Sequence, residues 1–364
     1  METQGKLNVE FPDLELLQRF DVPGPRYTSY PTADRFTKEF GAEDFKKVLN
    51  ARGTGENTAD LSLYVHIPFC ANVCFFCGCN KEVTKDHCRS KEYLEVLSKE
   101  CELVSAEIGG NKEVVQLHFG GGSPTFLNNE EIFQVMDIIR SHFALAPDAE
   151  ISIEVDPRST PVDKVEVLAK AGFNRMSIGV QDFDNRVQIA VNRVQPFEMT
   201  KAVLDAARAN GFKSINMDLI YGLPFQSRKT FEMTLDKVIE LSPDRIALYH
   251  FAHLPEHFKP QRRINAEDLP STPEKRRHHD GCYQAFERQR LSLHRYGPLR
   301  QGHRRTRQGS GKRYAAEKLP RLFPLSRSAT WLRSVFLLLA KSTAAMPPIR
   351  ATWKAITQPS AAVT

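Results

Sequence analysis

Six apolar stretches in the first three quarters of the chain constrain its fold most strongly. Each is rich in β-branched or other apolar residues, as buried strands are, and most gaps between them have the spacing of amphipathic helices. The predicted strands are residues 61–67, 114–119, 151–155, 175–180, 214–220 and 245–251. Because strands that alternate with helices form parallel sheets with the helices outside, the sequence predicts an α/β fold.

The six units show no obvious reversal along the chain, which favours a partial (β/α)6 barrel of the TIM type over residues 61–256. A doubly wound open sheet is the structural alternative. Residues 1–60 precede this core and are interrupted by prolines, so we expect an extended N-terminal arm. Both sheet types gather ligands at the carboxyl ends of their strands, and we expect a site there.

Local signals predict several helix boundaries and one core position. Residues 90–108 repeat apolar side chains every three or four positions, and Cys101 is one of them, so it is predicted to lie in the core. Asn128 and Glu131 suit a capping box. Pro161 is a typical first residue for the following helix, and Gly172 is a typical end for it.

The first predicted strand runs into a loop with four cysteines in ten residues. Cys70, Cys74, Cys77 and Cys79 have the spacing C-x3-C-x2-C-x-C. Three thiolates on one loop are able to hold three irons of a [4Fe–4S] cluster. The fourth iron would then lack a protein ligand and be free for chemistry.

Zinc and disulfides are the alternatives for this loop. A structural zinc site needs four ligands and usually has a second, distant cysteine pair, whereas Cys88 and Cys101 each stand alone. Disulfides belong to oxidising compartments. The chain has an odd number of cysteines, no signal-peptide pattern and no apolar run near the roughly 20 residues of a membrane helix. We therefore favour the cluster and expect a cytoplasmic protein.

Polar residues follow several of the other predicted strands. Glu154 and Asp156 end the third strand, Gln181 ends the fourth and Asp218 lies near the end of the fifth. Each of them alone is best explained as a cap, but together on one rim they suit recognition of hydroxyl and amine groups. Arg193 is either a surface arginine or the partner of a carboxylate in the cleft, where its planar fork is useful.

Three consecutive glycines, Gly120 to Gly122, follow the second strand and precede Ser123. They lack both the G-x-G-x-x-G spacing and the lysine of a P-loop, which argues against a phosphate cradle. The other interpretation is that bare backbone lets the amino acid end of a ligand approach closely. The cysteine loop, one strand away, favours this second interpretation.

Together these motifs resemble those of the radical SAM enzymes, and more closely those of the oxygen-independent coproporphyrinogen III oxidase (coproporphyrinogen dehydrogenase, HemN-like) family. The resemblance extends over residues 20–275. Besides the cysteine loop and the glycines, it rests on residues 26–33, 154–157, 179–183, 218–224 and 252–255.

The resemblance implies a set of site residues. Cys70, Cys74 and Cys77 would ligate the cluster, and Cys79 would belong to the signature without being a ligand. The open iron would take the amine and carboxylate of one S-adenosylmethionine (SAM), and a second SAM would bind nearby. The residues implied for the first SAM are Tyr64, Phe76, Gly121 and Glu154, and those for the second are Gly122, Ser123, Gln181, Arg193, Asp218 and Ala252.

The resemblance also implies a reaction in haem (porphyrin) biosynthesis. SAM-derived 5′-deoxyadenosyl radicals would remove hydrogen from two propionates of coproporphyrinogen III, and each propionate would become a vinyl group of protoporphyrinogen IX. An electron donor protein, such as a flavodoxin-type carrier, would be a partner. We expect a monomer that binds neither nucleic acid nor membrane. The alternative is a HemW-like haem chaperone with the same barrel, but Cys79 and residues 26–33 favour the oxidoreductase.

The composition changes near Lys275. The chain has a net charge of +6, yet residues 276–364 contain 18 Lys and Arg against only three acidic residues. Residues 257–275 still follow the family pattern, and the Arg/Pro/Ser-rich remainder does not. A basic nucleic-acid-binding tail and a disordered extension are two interpretations of this remainder.

Our hypothesis is a third interpretation, a frameshift near codon 275. Reading the gene in the neighbouring frame tests it, because no family-like sequence in that frame would defeat the idea. The resemblance implies a helical domain over the cleft in this region. We therefore expect the chain to accept a cluster but to turn over coproporphyrinogen poorly or not at all.

Overall fold

The computed structural model describes residues 39–51, 60–275 and 277–278, together with residues 15, 19 and 281 and three short strands at 291–292, 299–301 and 335–339. The predicted N-terminal arm and most of the basic tail lie outside the described residues, so their predicted conformations stay predictions.

All six predicted strands are present and lie side by side in chain order. Each pairs in parallel with the next. Because this order has no reversal, the partial-barrel arrangement is confirmed and the sheet is not doubly wound. The six strands β1, β4, β5, β6, β7 and β8 are Leu61–Ile67, Glu113–Gly121, Ala144–Val155, Arg175–Gln181, Ser214–Tyr221 and Arg245–His250.

Helices connect most of these strands, and their ends follow the predicted signals. Asn128 and Glu131 form the capping box, and Gly172 ends its helix in the left-handed conformation with φ 107°. Cys101 is fully buried, as predicted. Among the described residues, no helix has both the length and the apolar character needed to cross a membrane. The helices α1 to α7 of this part are Ala42–Ala51, Cys88–Glu107, Asn129–His142, Val162–Ala171, Asn185–Ala190, Phe197–Ala209 and Arg228–Leu241.

The two faces of the sheet differ in chemistry. Leu63, Val65 and Ile67 of β1 are at most 1% exposed and belong to the main apolar core. Because side chains alternate along a strand, Tyr64 and His66 point to the opposite face. That inner face carries polar groups, and it is the face on which the strand-end residues meet.

Five shorter strands were not predicted. Strands β2 (Phe69–Cys70) and β3 (Glu82–Val83) pair in parallel and bracket the cysteine loop. The other three come from the basic tail. Strand β10 (Leu299–Gln301) pairs antiparallel with β8 and with β9 (Leu291–Ser292), and β11 (Val335–Leu339) pairs in parallel with β1. Segments of the tail therefore lie at both edges of the sheet.

A buried carboxyl group ties the end of β6 to α7. Asp182 is 2% exposed and accepts hydrogen bonds from the Thr234 hydroxyl (2.7 Å), the Gln226 side-chain amide (2.5 Å) and the Asp184 backbone N–H (2.6 Å). Burial is the main cause that raises the pKa of Asp182 to about 6. The folded state therefore binds more protons than the unfolded state between about pH 4 and pH 6.

Asp182→Asn is expected to reveal this proton as a pH-dependent stability difference. As the pH rises from about 4 to 7, the free energy of unfolding of the wild type should decrease relative to that of the variant. The reason is that only the wild type must ionise a buried carboxyl group. The change should be of the order of 3 kcal/mol at most. Denaturant unfolding of the two cluster-free proteins across this range measures it. Asp205→Asn, in an exposed ion pair with Lys201, is the control and should cost less than about 1 kcal/mol. A wild-type to Asp182→Asn difference that stays constant with pH would contradict this account.

Candidate active site

The cysteine loop leaves the end of β1 and is closed at its base by backbone hydrogen bonds. The N–H of Glu82 donates to the Pro68 carbonyl (2.7 Å), and the N–H of Thr84 donates to the Cys70 carbonyl (3.0 Å). These bonds continue the β2–β3 pair. The loop therefore connects two short paired strands, which hold both of its ends in place.

All four thiols of the loop are free of disulfides. Cys74 is buried at 8% exposure, and Cys70 and Cys77 are half-buried. Within the described residues, no three His, Cys, Asp or Glu side chains converge so as to hold one metal ion. Three thiols on one loop match the number of protein ligands that a [4Fe–4S] cluster with one open iron takes.

The thiols of this loop have different proton affinities. Hydrogen bonding with Cys79, helped by the charge of Lys81, lowers the pKa of Cys77 to about 5. The backbone N–H of Cys79 donates to Cys77 Sγ at 3.4 Å. Burial first, and then the neighbouring Cys77 and Cys74, raise the pKa of Cys70 to about 12. Binding of iron as thiolate must therefore release a proton from Cys70.

Two arginines meet Asp156 beside Cys74. Asp156 Oδ2 accepts from Arg158 Nη2 at 2.7 Å and from Arg193 Nη1 at 3.1 Å. The same Arg158 nitrogen lies 3.2 Å from Cys74 Sγ, and the same Arg193 nitrogen lies 3.6 Å from it. Burial acts to raise the pKa of Asp156, but the charge of Arg193 and the hydrogen bonds of Arg158 outweigh it and lower the pKa to about 2. Asp156 is therefore a carboxylate at neutral pH.

The segment after α5 holds the outer side of the loop. The backbone N–H of Phe75 donates to the Val191 carbonyl (2.9 Å), and the Asn192 side-chain amide donates to the Val73 carbonyl (2.7 Å). Asn192 has φ 53°, a left-handed conformation that asparagine tolerates better than most residues. These contacts immobilise the middle of the cysteine loop.

The glycine triplet is locked against the base of the loop. The N–H of Gly122 donates to the Ile67 carbonyl at 2.8 Å. A Cβ at Gly122 would lie 2.7 Å from the Phe69 carbonyl oxygen, and one at Gly121 would lie 2.8 Å from the His66 ring. Gly121 also has φ 115°. Only glycine fits at these two positions, and the space a side chain would fill is occupied by the strand end.

Glu154 reaches this triplet from β5. Its Oε2 accepts from the Gly121 N–H at 3.3 Å, and its Oε1 lies 3.5 Å from His118 Nε2. The His118 ring stacks on Tyr64 with ring centres 5.7 Å apart and bonds Ser152 through Nδ1 at 2.6 Å. His118 Nε2 is buried and has no partner of hydrogen-bond geometry within the described residues. Tyr64, Gly121 and Glu154, all predicted for the first SAM, therefore form one contiguous group.

The residues predicted for the second SAM are partly assembled. Arg193 Nη2 donates to the Gly179 carbonyl at 2.6 Å, and a Cβ at Gly179 would meet both this nitrogen and Gln181 Nε2 at 2.9 Å. Asp218 is the register partner of Gly179 and accepts hydrogen bonds from Ser177 (3.0 Å) and Asn216 (2.9 Å). Gln181, Arg193 and Asp218 thus gather at the ends of β6 and β7.

The other predicted residues occupy three separate environments. Ser123 is buried, with its hydroxyl 3.4 Å from those of Thr125 and Ser159. Phe76 is partly buried against the small apolar cluster of Val187, Val191, Leu223, Phe251 and Ile264. Ala252 is exposed in the loop after β8.

Sequence reasoning missed Arg158 and Gln261. Arg158 follows Asp156 by two positions, but nothing in that spacing indicates a contact with Cys74. Gln261 is 2% exposed and its amide donates to the Phe76 carbonyl at 3.0 Å, across 185 positions of sequence. A contact of that sequence separation leaves no local pattern.

The assembled residues fit an iron–sulfur cluster and SAM. Three free thiols share one loop, and bare backbone at Gly121 lies beside the Glu154 carboxylate. Arg193 Nε is buried and has no hydrogen-bond partner among the described residues, so a donor is available for a ligand. A donor group, Arg193, therefore lies next to Cys74, and the acceptor Glu154 lies beside the glycine triplet.

Comparisons with known proteins give the same assignment. Residues 64–238 match the model of the radical SAM superfamily. The oxygen-independent coproporphyrinogen III oxidase of Pseudomonas aeruginosa is 50% identical over 266 residues, which are 72% of this chain and 57% of that protein. The enzyme of the same name from Escherichia coli is 48% identical over 263 residues, which are 72% of this chain and 56% of that protein. The chain thus spans little more than half the length of these relatives.

A solved structure agrees with the sequence matches. Coproporphyrinogen III oxidase (HemN) from Escherichia coli, described as a radical SAM enzyme, superposes with a TM-score of 0.72 at 42% identity, covering 79% of this chain and 64% of that one. The similarity extends from the motifs to the arrangement of the whole barrel. Residues 64–238 therefore form a radical SAM domain, and the matched part of the chain is similar in sequence and fold to the oxygen-independent coproporphyrinogen III oxidases.

Proposed function

We propose that the chain is a radical SAM oxidoreductase that converts two propionates of coproporphyrinogen III to vinyl groups without oxygen, giving protoporphyrinogen IX. The best support is the 50% identity to the Pseudomonas aeruginosa oxidase, in a chain whose cysteine loop, glycine triplet and Glu154 lie together. Each propionate would lose one hydrogen atom, one CO2 and one electron. The cluster and SAM, when bound, supply the one-electron chemistry that removes the hydrogen atom.

The chain's own residues would bind and orient these groups. Cys70, Cys74 and Cys77 would be the three thiolate ligands. The Glu154 carboxylate is an acceptor for an ammonium or hydroxyl group, and it lies beside the Gly121 backbone N–H. Tyr64, Gly121, Glu154 and Phe76 are the residues that we propose for one SAM.

A second SAM would lie towards β6 and β7. Asp218 is oriented by Ser177 and Asn216, and it would accept from hydroxyl or ammonium groups of that ligand. Gln181 and Arg193 supply donors beside it, with Gly122, Ser123 and Ala252 completing the set. We further propose a monomer in the cytoplasm that receives electrons from a flavodoxin-type carrier.

Anaerobic turnover tests this function. The protein is reconstituted with iron and sulfide, reduced, and given SAM and coproporphyrinogen III, and the Pseudomonas aeruginosa relative is assayed in parallel. We expect 5′-deoxyadenosine from both proteins, and CO2 with vinyl product in the ratio of two CO2 per protoporphyrinogen IX. Our frameshift hypothesis predicts a lower rate per cluster for this chain.

Two results would contradict these proposals separately. A rate equal to that of the relative would oppose the prediction about residues 276–364. No SAM cleavage, together with stoichiometric binding in a haem titration, would replace the oxidoreductase by the haem chaperone.

A further inference from the structure

Arg158 holds a position that none of the roles above explains. Its side chain is 16% exposed, although it carries a charge, and it lies between Asp156 and the sulfur of Cys74. The guanidinium grips the carboxylate with two nitrogens, Nε on Oδ1 at 3.0 Å and Nη2 on Oδ2 at 2.7 Å. A planar fork held in this way has little freedom to move.

The free edge of the same guanidinium contacts the cysteine loop and its support. Nη2 donates to Cys74 Sγ at 3.2 Å, and Nη1 donates to the Asn192 carbonyl at 3.2 Å. The Asn192 side chain in turn donates to the Val73 carbonyl next to Cys74 at 2.7 Å. One side chain therefore links the end of β5, the segment after α5 and the cysteine loop.

The turn at residues 157–159 does not need the Arg158 side chain for its stability. The Asp156 side chain also accepts from the backbone N–H of Arg158 at 3.0 Å, which caps residues 157–159 whatever side chain Arg158 carries. The guanidinium is not needed for that bond. Its contact with sulfur therefore requires a separate explanation.

The charges around Cys74 point to an electrostatic effect. Asp156 contributes one negative charge, and Arg158 and Arg193 contribute two positive charges within 3.6 Å of the sulfur. The net charge beside the sulfur is therefore positive. Hydrogen bonds to ligand sulfurs and nearby charge both set the potential of an iron–sulfur cluster. A positive group favours the reduced form, because one-electron reduction adds one negative charge.

We propose that Arg158 is a positioning residue of the cluster site, which fixes Cys74 in the loop and raises the reduction potential of the bound cluster. This inference rests on the proposed function, since it takes a cluster on Cys70, Cys74 and Cys77 as given. Arg158 does not touch substrate. It acts on the reaction by making the cluster easier to reduce.

Redox titration of the reconstituted protein tests the proposal. Wild type, Arg158→Gln and Arg158→Lys are titrated with dithionite, which gives one electron to each cluster, and the reduced cluster is followed by electron paramagnetic resonance. For Arg158→Gln we expect a more negative midpoint, corresponding to about a tenfold smaller ratio of reduced to oxidised cluster at a fixed potential, or about 59 mV. Arg158→Lys keeps the charge but lacks the fork, so its midpoint should lie between the two. Arg228→Gln, in an exposed pair with Glu232 on α7, is the matched control and should equal wild type.

A second measurement on the cluster-free protein covers variants that do not bind iron. Hydrogen exchange of the Phe75 amide, which donates to Val191, should be at least about tenfold faster in Arg158→Gln than in wild type or Arg228→Gln. A midpoint equal to wild type in Arg158→Gln, or unchanged exchange in the cluster-free variant, would overturn the proposal. A wild-type protein that binds no iron and sulfide would instead refute the proposed function, and the exchange comparison would still decide whether Arg158 fixes the loop.

Discussion

Cys74→Ser should abolish assembly of the iron–sulfur cluster. Cys74 is one of three thiols on the loop, and its sulfur lies against the guanidinium groups of Arg158 and Arg193. A serine hydroxyl is not an effective iron ligand under these conditions, and two thiolates would leave two irons without protein ligands. We expect iron and sulfide after reconstitution to fall from about four of each per chain to near zero. SAM cleavage should fall at least about a hundredfold.

Cys88→Ser is the matched control for this substitution. Cys88 is an exposed free thiol at the start of α2, outside the loop. Its replacement should leave iron, sulfide and SAM cleavage at the wild-type level. Full iron and sulfide in Cys74→Ser would show that other residues hold the cluster.

Gly122→Ala is expected to lower stability, cluster content and SAM cleavage, although it replaces no cysteine. The new Cβ would lie 2.7 Å from the Phe69 carbonyl oxygen and 2.8 Å from the Pro68 carbonyl oxygen, and both are backbone atoms at the start of the loop. Relief requires the backbone of Pro68 and Phe69 to move away from the triplet. We expect a loss of about 1–3 kcal/mol in the free energy of unfolding, as is typical of overpacking. Because Cys70 directly follows Phe69, cluster content and SAM cleavage should also fall.

Gly41→Ala separates this effect from the general consequence of adding a methyl group. A Cβ at Gly41 has no atom within 4 Å, and the residue does not need a positive φ. Its replacement should change the unfolding free energy by less than about 1 kcal/mol. Equal stability and cluster content in Gly122→Ala and Gly41→Ala would contradict the close packing of the triplet on the loop.

The barrel was predictable because its strands are continuous apolar runs that end at turn residues. The stretch 214–220, for example, became Ser214–Tyr221, with Met217 and Leu219 fully buried. The third strand was placed less well, since Ala144–Val155 begins seven positions before the predicted residue 151. Its first half contains Pro147 and Asp148 and pairs irregularly with β4, so it lacks the composition of a strand.

Strands from the basic tail had no comparable signal. Val335–Leu339 is an apolar run flanked by Arg333 and Lys341. Nothing in its sequence indicates which strand it pairs with. Its pairing with β1 is set by the open edge of the sheet, which single-sequence patterns do not describe. Propensity indicates that a run is able to form a strand, and topology decides where it pairs.

The candidate site likewise contains residues that the sequence predicted and residues that it did not. The cysteines, Gly121, Glu154 and Asp218 stand at strand ends, and the rule that parallel strands present their carboxyl ends at one edge was enough to bring them together. Arg158, Asn192 and Gln261 act through long side chains that cross between segments. Their contacts depend on the packed geometry, and their sequence neighbourhoods carry no sign of it.

We expect this barrel to bind a [4Fe–4S] cluster that cleaves SAM. The most direct test is to reconstitute the protein under anaerobic conditions, reduce it with dithionite, add SAM and measure 5′-deoxyadenosine and methionine together with iron and sulfide per chain. The expected result is about four irons and four sulfides per chain, with equal amounts of the two SAM fragments, all lost in Cys74→Ser. Bound zinc without sulfide, or a loaded cluster that leaves SAM intact, would contradict it.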